Sequence, residues 1–75
     1  MTTGDFVIIK SKRELEDLGY YSTDYYVFAF ANKLGRIVEM HRDSKDSPIY
    51  YGIKIGSNDR TWFAEKAFTK YNGGV

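Results

Sequence analysis

The sequence predicts a mainly β fold: a small five-stranded barrel with one short helix in the long loop after the first strand. Two observations lead to this fold. β-branched and aromatic residues form several short runs that glycine, proline and polar residues separate. The last run, residues 69–71, is able to return beside the first run, residues 5–10, which would close the sheet and remove its exposed edges.

The 75 residues are expected to form a single domain, residues 1–75. Cysteine is absent, which excludes disulfides and thiolate metal sites. Stability must therefore come from packing of the 43% of residues that are hydrophobic, and we expect no cofactor and no bound metal. The residues expected to form the core are Phe6, Ile8, Leu15, Ile37, Tyr51, Ile53, Ile55, Trp62 and Phe68.

The long loop after the first strand begins with a helix signal. Residues 5–10 are predicted to be a strand buried on both faces, because apolar residues occupy successive positions. Ser11 and Glu14 then form a capping box, which predicts a helix of one or two turns that buries Leu15 and stops at Gly19. Residues 25–34 fit either an extended segment or a short helix capped by Gly35, and we favour the extended segment.

The second half of the chain has clearer strand patterns. Residues 36–41 predict a strand, and the polar residues 42–48 predict a hairpin loop. Residues 49–55 alternate between apolar and other side chains, with Gly52 indicating a bulge or a sharply coiled strand. A turn at 56–60, a strand at 61–63 and a single helical turn at 64–68 precede the last strand.

Four segments, residues 4–9, 34–40, 49–55 and 62–68, together resemble Src-homology-3-like (SH3-like) small barrels, particularly KOW-type and related bacterial barrels. The resemblance includes a Gly-Asp-x-Val opening strand at Gly4 and a Gly-Arg-Ile-Val strand at Gly35. It implies the five-stranded SH3-like barrel fold. Because the matching positions are those that build the barrel, it implies much less about function.

Composition and motifs favour a binding protein over an enzyme. The formal charge of +1 weakens a general nucleic-acid-binding interpretation. His41 is the only histidine and lies beside turn-forming residues, so we interpret it as structural and expect no catalytic residues and no small-molecule substrate. The first residues lack signal-peptide features and no apolar run is long enough to cross a bilayer, so we expect a cytoplasmic protein without a membrane partner.

Tyrosine is the unusual feature of this sequence. Tyr and Trp combine a large apolar area with a polar group, which suits binding surfaces. Four tyrosines crowd the long loop, and a core this small cannot bury all of them. We therefore predict that the protein docks on a protein partner or a nucleoprotein complex as an accessory or inhibitory subunit. The residues predicted to bind this partner are Tyr20, Tyr21, Tyr25, Tyr26 and Tyr50.

A set of basic residues supports the alternative function, a KOW-like nucleic-acid-binding barrel acting in transcription or translation. Arg36 and Arg42 are six positions apart on one predicted strand and are therefore expected on the same face. Tyr50 would be available for base stacking. The residues that would contact phosphates are Arg36, Arg42, Lys45, Lys54 and Arg60.

Overall fold

The computed structural model describes residues 1–21 and 24–72, which fold into a mainly β structure with one five-stranded antiparallel sheet. The strand order across the sheet is β4-β3-β2-β1-β5, so the last strand pairs with the first, as the sequence predicts. The sheet is open in this order, with β4 and β5 at its two edges. The strands are β1 (Phe6–Ile9), β2 (Leu34–His41), β3 (Tyr50–Lys54), β4 (Thr61–Ala64) and β5 (Phe68–Lys70).

Two short helices and one 3₁₀ turn complete the fold. Helix α1 (Lys12–Asp17) and helix α2 (Tyr25–Phe28) both lie in the connection between β1 and β2, and the 3₁₀ turn (Glu65–Ala67) joins β4 to β5. Ser11 and Glu14 form the predicted capping box: the Ser11 hydroxyl accepts a hydrogen bond from the Glu14 amide and the Glu14 carboxylate accepts one from the Ser11 amide, both 3.2 Å long. The Glu14 carboxylate also accepts a hydrogen bond of 2.9 Å from the Ser11 hydroxyl, and the bonds it accepts from the Ser11 amide and hydroxyl lower the pKa of this exposed carboxyl.

The core lies on one face of the sheet only. Val7 and Ile9 of β1 are fully buried, whereas Phe6 is 49% exposed and Ile8 is partly buried. The prediction that β1 is buried on both faces is therefore wrong, because the helices cover only the face that carries Val7 and Ile9. The buried hydrophobic side chains are Val7, Ile9, Leu15, Val27, Ile37, Tyr51, Ile53, Ile55, Phe63, Ala67 and Phe68.

Residues 25–34 do not form the extended segment that we favoured. Residues 25–28 form helix α2, turns follow through Asn32, and β2 starts at Leu34. A short helix is therefore present, but it ends well before Gly35, which lies in β2 and does not cap it. Two features hold this segment on the sheet: Val27 is buried in the core, and the Asn32 amide and the Lys33 carbonyl bond to the backbone of Ile9. Burial of one side chain thus selects a helical turn that local periodicity could not identify.

The predicted irregularity near Gly52 lies on the neighbouring strand. In β2 the pairing shifts between Ile37, which faces Ile53, and Glu39, which faces Gly52, so Val38 is the extra residue of a bulge. The Arg60 side chain packs against Gly52. A Cβ at Gly52 would lie only 2.6 Å from Cδ of Arg60, so the missing side chain of Gly52 makes room for Arg60.

The burial of Ile53 yields a direct test of the strand register. Replacing the fully buried Ile53 by Ala should destabilise the protein by about 2–4 kcal/mol, through lost apolar burial and a residual cavity. Ile8→Ala, on the partly solvated face of β1, is the matched control and should cost clearly less. Chemical denaturation measures both changes, and an Ile53→Ala midpoint equal to that of the wild type would contradict the register.

Two glycines of the sheet should respond differently to the same substitution. A Cβ on Gly35 would lie 2.5 Å from Cγ2 of Ile53 and 2.8 Å from Cγ1 of Ile55, both in the packed core. Gly35→Ala should therefore destabilise the fold by about 1–3 kcal/mol. Gly52→Ala should cost less because it meets mainly the exposed side chain of Arg60, outside the packed core. Thermal unfolding compares them, and equal losses would contradict the packing described around Gly35.

Candidate binding surface

The tyrosines of the β1–β2 connection lie largely on the surface. Tyr25 is 76% exposed, Tyr21 73% and Tyr26 44%, whereas Tyr20 is partly buried and packs against the core. The sequence predicts that the core cannot bury all four tyrosines of this connection. This prediction is confirmed, because three of the four are exposed. Tyr50, at the start of β3, is also exposed.

Aromatic side chains from separate parts of the chain surround one cleft of about 280 Å³, here called the aromatic cleft. Tyr20 and Tyr26 come from the β1–β2 connection, Tyr50 from β3, Trp62 from β4 and Lys66 from the 3₁₀ turn. Val27, Phe63 and Ala64 complete its lining. Because Val27 and Phe63 also belong to the buried core, the base of the cleft is fixed by the packing that stabilises the fold.

A second concavity adjoins the aromatic cleft at Tyr20, which lines both. This loop groove has a volume of about 430 Å³ and runs between α1 and α2. Its charged residues are Lys12 and Glu16 of α1. The residues lining it are Lys12, Glu16, Tyr20, Tyr21, Tyr25 and Phe28. All five tyrosines predicted to bind a partner therefore line one or both of these concavities, which meet at Tyr20.

Tyr20 has a distinct electrostatic environment. Burial raises the pKa of its hydroxyl, and the nearby Tyr26, Asp24 and Tyr50 raise it further. The hydroxyl is therefore protonated at neutral pH and is able to donate a hydrogen bond. On the ring itself, the Lys66 ammonium lies 5.1 Å from the centroid in a cation–π contact.

The predicted basic set does not form one patch. Arg36 of β2 pairs across the sheet with Lys54 of β3, and its guanidinium lies 5.7 Å from the centre of the Phe6 ring. The bulge at Val38 shifts the alternation of β2 by one residue, so the prediction that Arg36 and Arg42 share a face is wrong. Arg42 instead lines another concavity of about 390 Å³ together with Pro48, Ile49, Tyr51 and Glu65, and this concavity shares Ala64 and Lys66 with the aromatic cleft.

The other two residues of the predicted basic set are Arg60 and Lys45. Arg60 forms an ion pair with Glu39 and stacks on Trp62, with its guanidinium 4.8 Å from the ring centroid. Trp62, expected in the core, is only partly buried, because Phe63 takes the inward position of β4 and Trp62 lies opposite Gly52 on the other face. Lys45 is exposed in the loop between β2 and β3.

His41 and its neighbours form a surface pair. Its Nε2 lies 2.7 Å from an oxygen of Asp43, and its ring packs edge-on against Trp62 with centroids 6.2 Å apart. Within residues 1–21 and 24–72, no group of three His, Asp or Glu side chains is placed to hold a metal ion. In the same part of the chain, no helix has the length and apolarity needed to cross a membrane.

Sequence reasoning did not assign Trp62 and Lys66 to the binding surface, although both line the aromatic cleft together with Val27, Phe63 and Ala64. The signal for Trp62 was present: of two adjacent aromatic residues on a strand, only one can face the core, and Gly52 leaves space on the opposite face. No sequence signal marks Lys66, because its place depends on how the 3₁₀ turn meets the β1–β2 connection. Comparison with protein families, with curated proteins and with solved structures finds no match to this chain.

Proposed function

We propose that the protein is a non-catalytic binding module that docks on a larger protein or nucleoprotein assembly as an accessory or inhibitory subunit. One observation carries this proposal: Tyr26, Tyr50 and Trp62, from three different elements, surround one cleft with part of their surface still open to solvent. Anchors of this kind supply most of the binding energy in protein interfaces.

The geometry fits a partner segment with protruding apolar side chains. The aromatic cleft has about the volume of the smallest ligand pockets, and the loop groove beside it extends the surface past Tyr21 and Tyr25. Tyrosine and tryptophan lose little conformational entropy on binding because they have only two side-chain torsions. The aromatic rings of this surface supply apolar contact area, and the tyrosine hydroxyl groups remain able to form hydrogen bonds with polar groups of the partner.

The fold proposal is an SH3-like barrel. The strand order, with β1 between β2 and β5, supports it, as do the long β1–β2 connection and the 3₁₀ turn between β4 and β5. In this arrangement the long connection and the 3₁₀ turn both border the aromatic cleft through Tyr20 and Lys66. The two connections that support the barrel proposal are therefore also the ones that border the cleft proposed to bind the partner.

A second candidate function, nucleic-acid binding, rests on residues that line neither the aromatic cleft nor the loop groove. Arg36 and Lys54 are cross-strand neighbours beside the half-exposed Phe6 ring. Two cations and an exposed aromatic ring suit a phosphate and a stacked base. Of the other predicted cations, Arg60 is engaged by Glu39 and Trp62, and Arg42 lines another concavity, so we place this candidate second.

Loss of the cleft tyrosines should weaken partner capture without unfolding the protein. Replacing Tyr26 and Tyr50 by Ala should reduce affinity for a cross-linked and identified partner by about 30-fold or more, equivalent to about 2 kcal/mol. Tyr71→Ala is the matched control, since Tyr71 is 39% exposed and lines neither the aromatic cleft nor the loop groove. Circular dichroism checks the fold, and equal affinity of the two variants would contradict docking at the cleft.

Nucleic-acid binding is tested by titrating labelled single-stranded DNA and RNA at several salt concentrations. If the second candidate is correct, affinity falls with increasing salt, and replacing Arg36 and Lys54 by Ala reduces the log–log slope by about one to two. Arg42→Ala, which changes a cation outside this pair, should leave the slope nearly unchanged. Absence of binding at low salt would rule the candidate out.

A further inference from the structure

The aromatic cleft contains a positive charge of its own. Tyr20, Tyr26, Tyr50 and Trp62 line it together with Lys66. Several aromatic rings around a small cleft are the arrangement that binds quaternary ammonium groups and methylated lysine. Here the Lys66 ammonium lies 5.1 Å from the Tyr20 centroid and so occupies the ring face that such a cation would use. A cationic ligand would also meet a like charge, so the cleft is unsuited to it.

The charge of Lys66 is not neutralised by an acidic side chain in the described part of the chain, where the ion pairs are His41–Asp43 and Arg60–Glu39. Asp24 is close enough to raise the pKa of Tyr20, and its carboxylate accepts a hydrogen bond of 2.9 Å from the Tyr21 amide instead of pairing with Lys66. Glu65, next to Lys66 in sequence, lines with it the concavity that holds Arg42, but Glu65 acts on the Tyr51 hydroxyl and forms no ion pair with Lys66.

We propose that the partner segment carries a carboxylate next to an apolar side chain, with the apolar group entering the aromatic cleft and the carboxylate pairing with Lys66. This inference rests on the proposed docking function and specifies the chemistry of the partner at the same site. The apolar side chain contacts Tyr26, Tyr50 and Trp62, which have exposed or partly exposed surface. The protonated Tyr20 hydroxyl is a second donor for the carboxylate.

Binding displaces little of the existing structure. Lys66 is exposed and its ammonium is held by a cation–π contact alone among the interactions described, so it is able to swing toward an anion at small cost. Pairing beside aromatic surface is stronger than in open solvent because the rings exclude water from one side of the ion pair. An acidic residue in the partner therefore adds affinity and also selects against basic segments.

Three probes with the same ring and chain length separate shape from charge: 3-phenylpropionate, 3-phenylpropanamide and 3-phenylpropylammonium. Each is titrated into the isotope-labelled full chain while the resonances of Tyr26, Tyr50 and Trp62 are followed by NMR. We expect the anion to bind about fivefold more tightly than the neutral amide, as a partly exposed ion pair allows, and the cation to bind most weakly. In Lys66→Met, which keeps the unbranched stem, this order should collapse to equal affinities.

Lys54→Met is the matched control, because Lys54 is an exposed lysine that lines none of the three concavities described above. It should leave the preference for the anion intact. If the amide or the cation binds at least as well as the anion, or if Lys66→Met retains the anion preference, the inference is wrong while docking at the cleft stands. If none of the probes shifts the cleft resonances, the cleft is not a docking site and both proposals are overturned.

Discussion

The structure depends on the burial of Leu15 and Val27 against one face of the sheet. Both side chains come from the long β1–β2 connection, and both are at most 1% exposed. Their burial fixes α1 and α2 on the sheet. Backbone hydrogen bonds between Ile9 and residues Asn32 and Lys33 hold the end of the connection against β1. A segment that could have been a loose loop becomes part of the core, so the aromatic residues between and beside these anchors occupy defined positions.

The same constraint explains why so many aromatic rings remain outside. Phe63, Phe68 and Tyr51 fill the inner face, where Tyr51 and Phe68 pack edge to face with centroids 5.3 Å apart. With that space occupied, Tyr26 and Trp62 are left at the border between the connection and the outer side of the sheet. Because a chain of 75 residues can bury only a small core, its surplus of aromatic residues lies on the surface, where several of them surround a cleft.

Sequence signals predicted an element correctly where the interactions that form it span only a few residues. The capping box at Ser11 and the alternation around Ile53 gave α1 and β3, because hydrogen bonding and strand periodicity act over a few residues. They failed for α2, which depends on Val27 reaching a core that other segments build. They also failed for Arg42, since the bulge at Val38 reverses the strand phase without a mark in the sequence.

The central claim is that the β1–β2 connection and the 3₁₀ turn meet to form the aromatic cleft, and the contact between Tyr20 and Lys66 tests it most directly. The face of an aromatic ring shields nearby protons, so the ε-methylene protons of Lys66 should resonate upfield of those of other lysines. They should also show nuclear Overhauser effects to the Tyr20 ring. Ordinary lysine shifts for Lys66 together with no such effects in the folded protein would contradict the cleft.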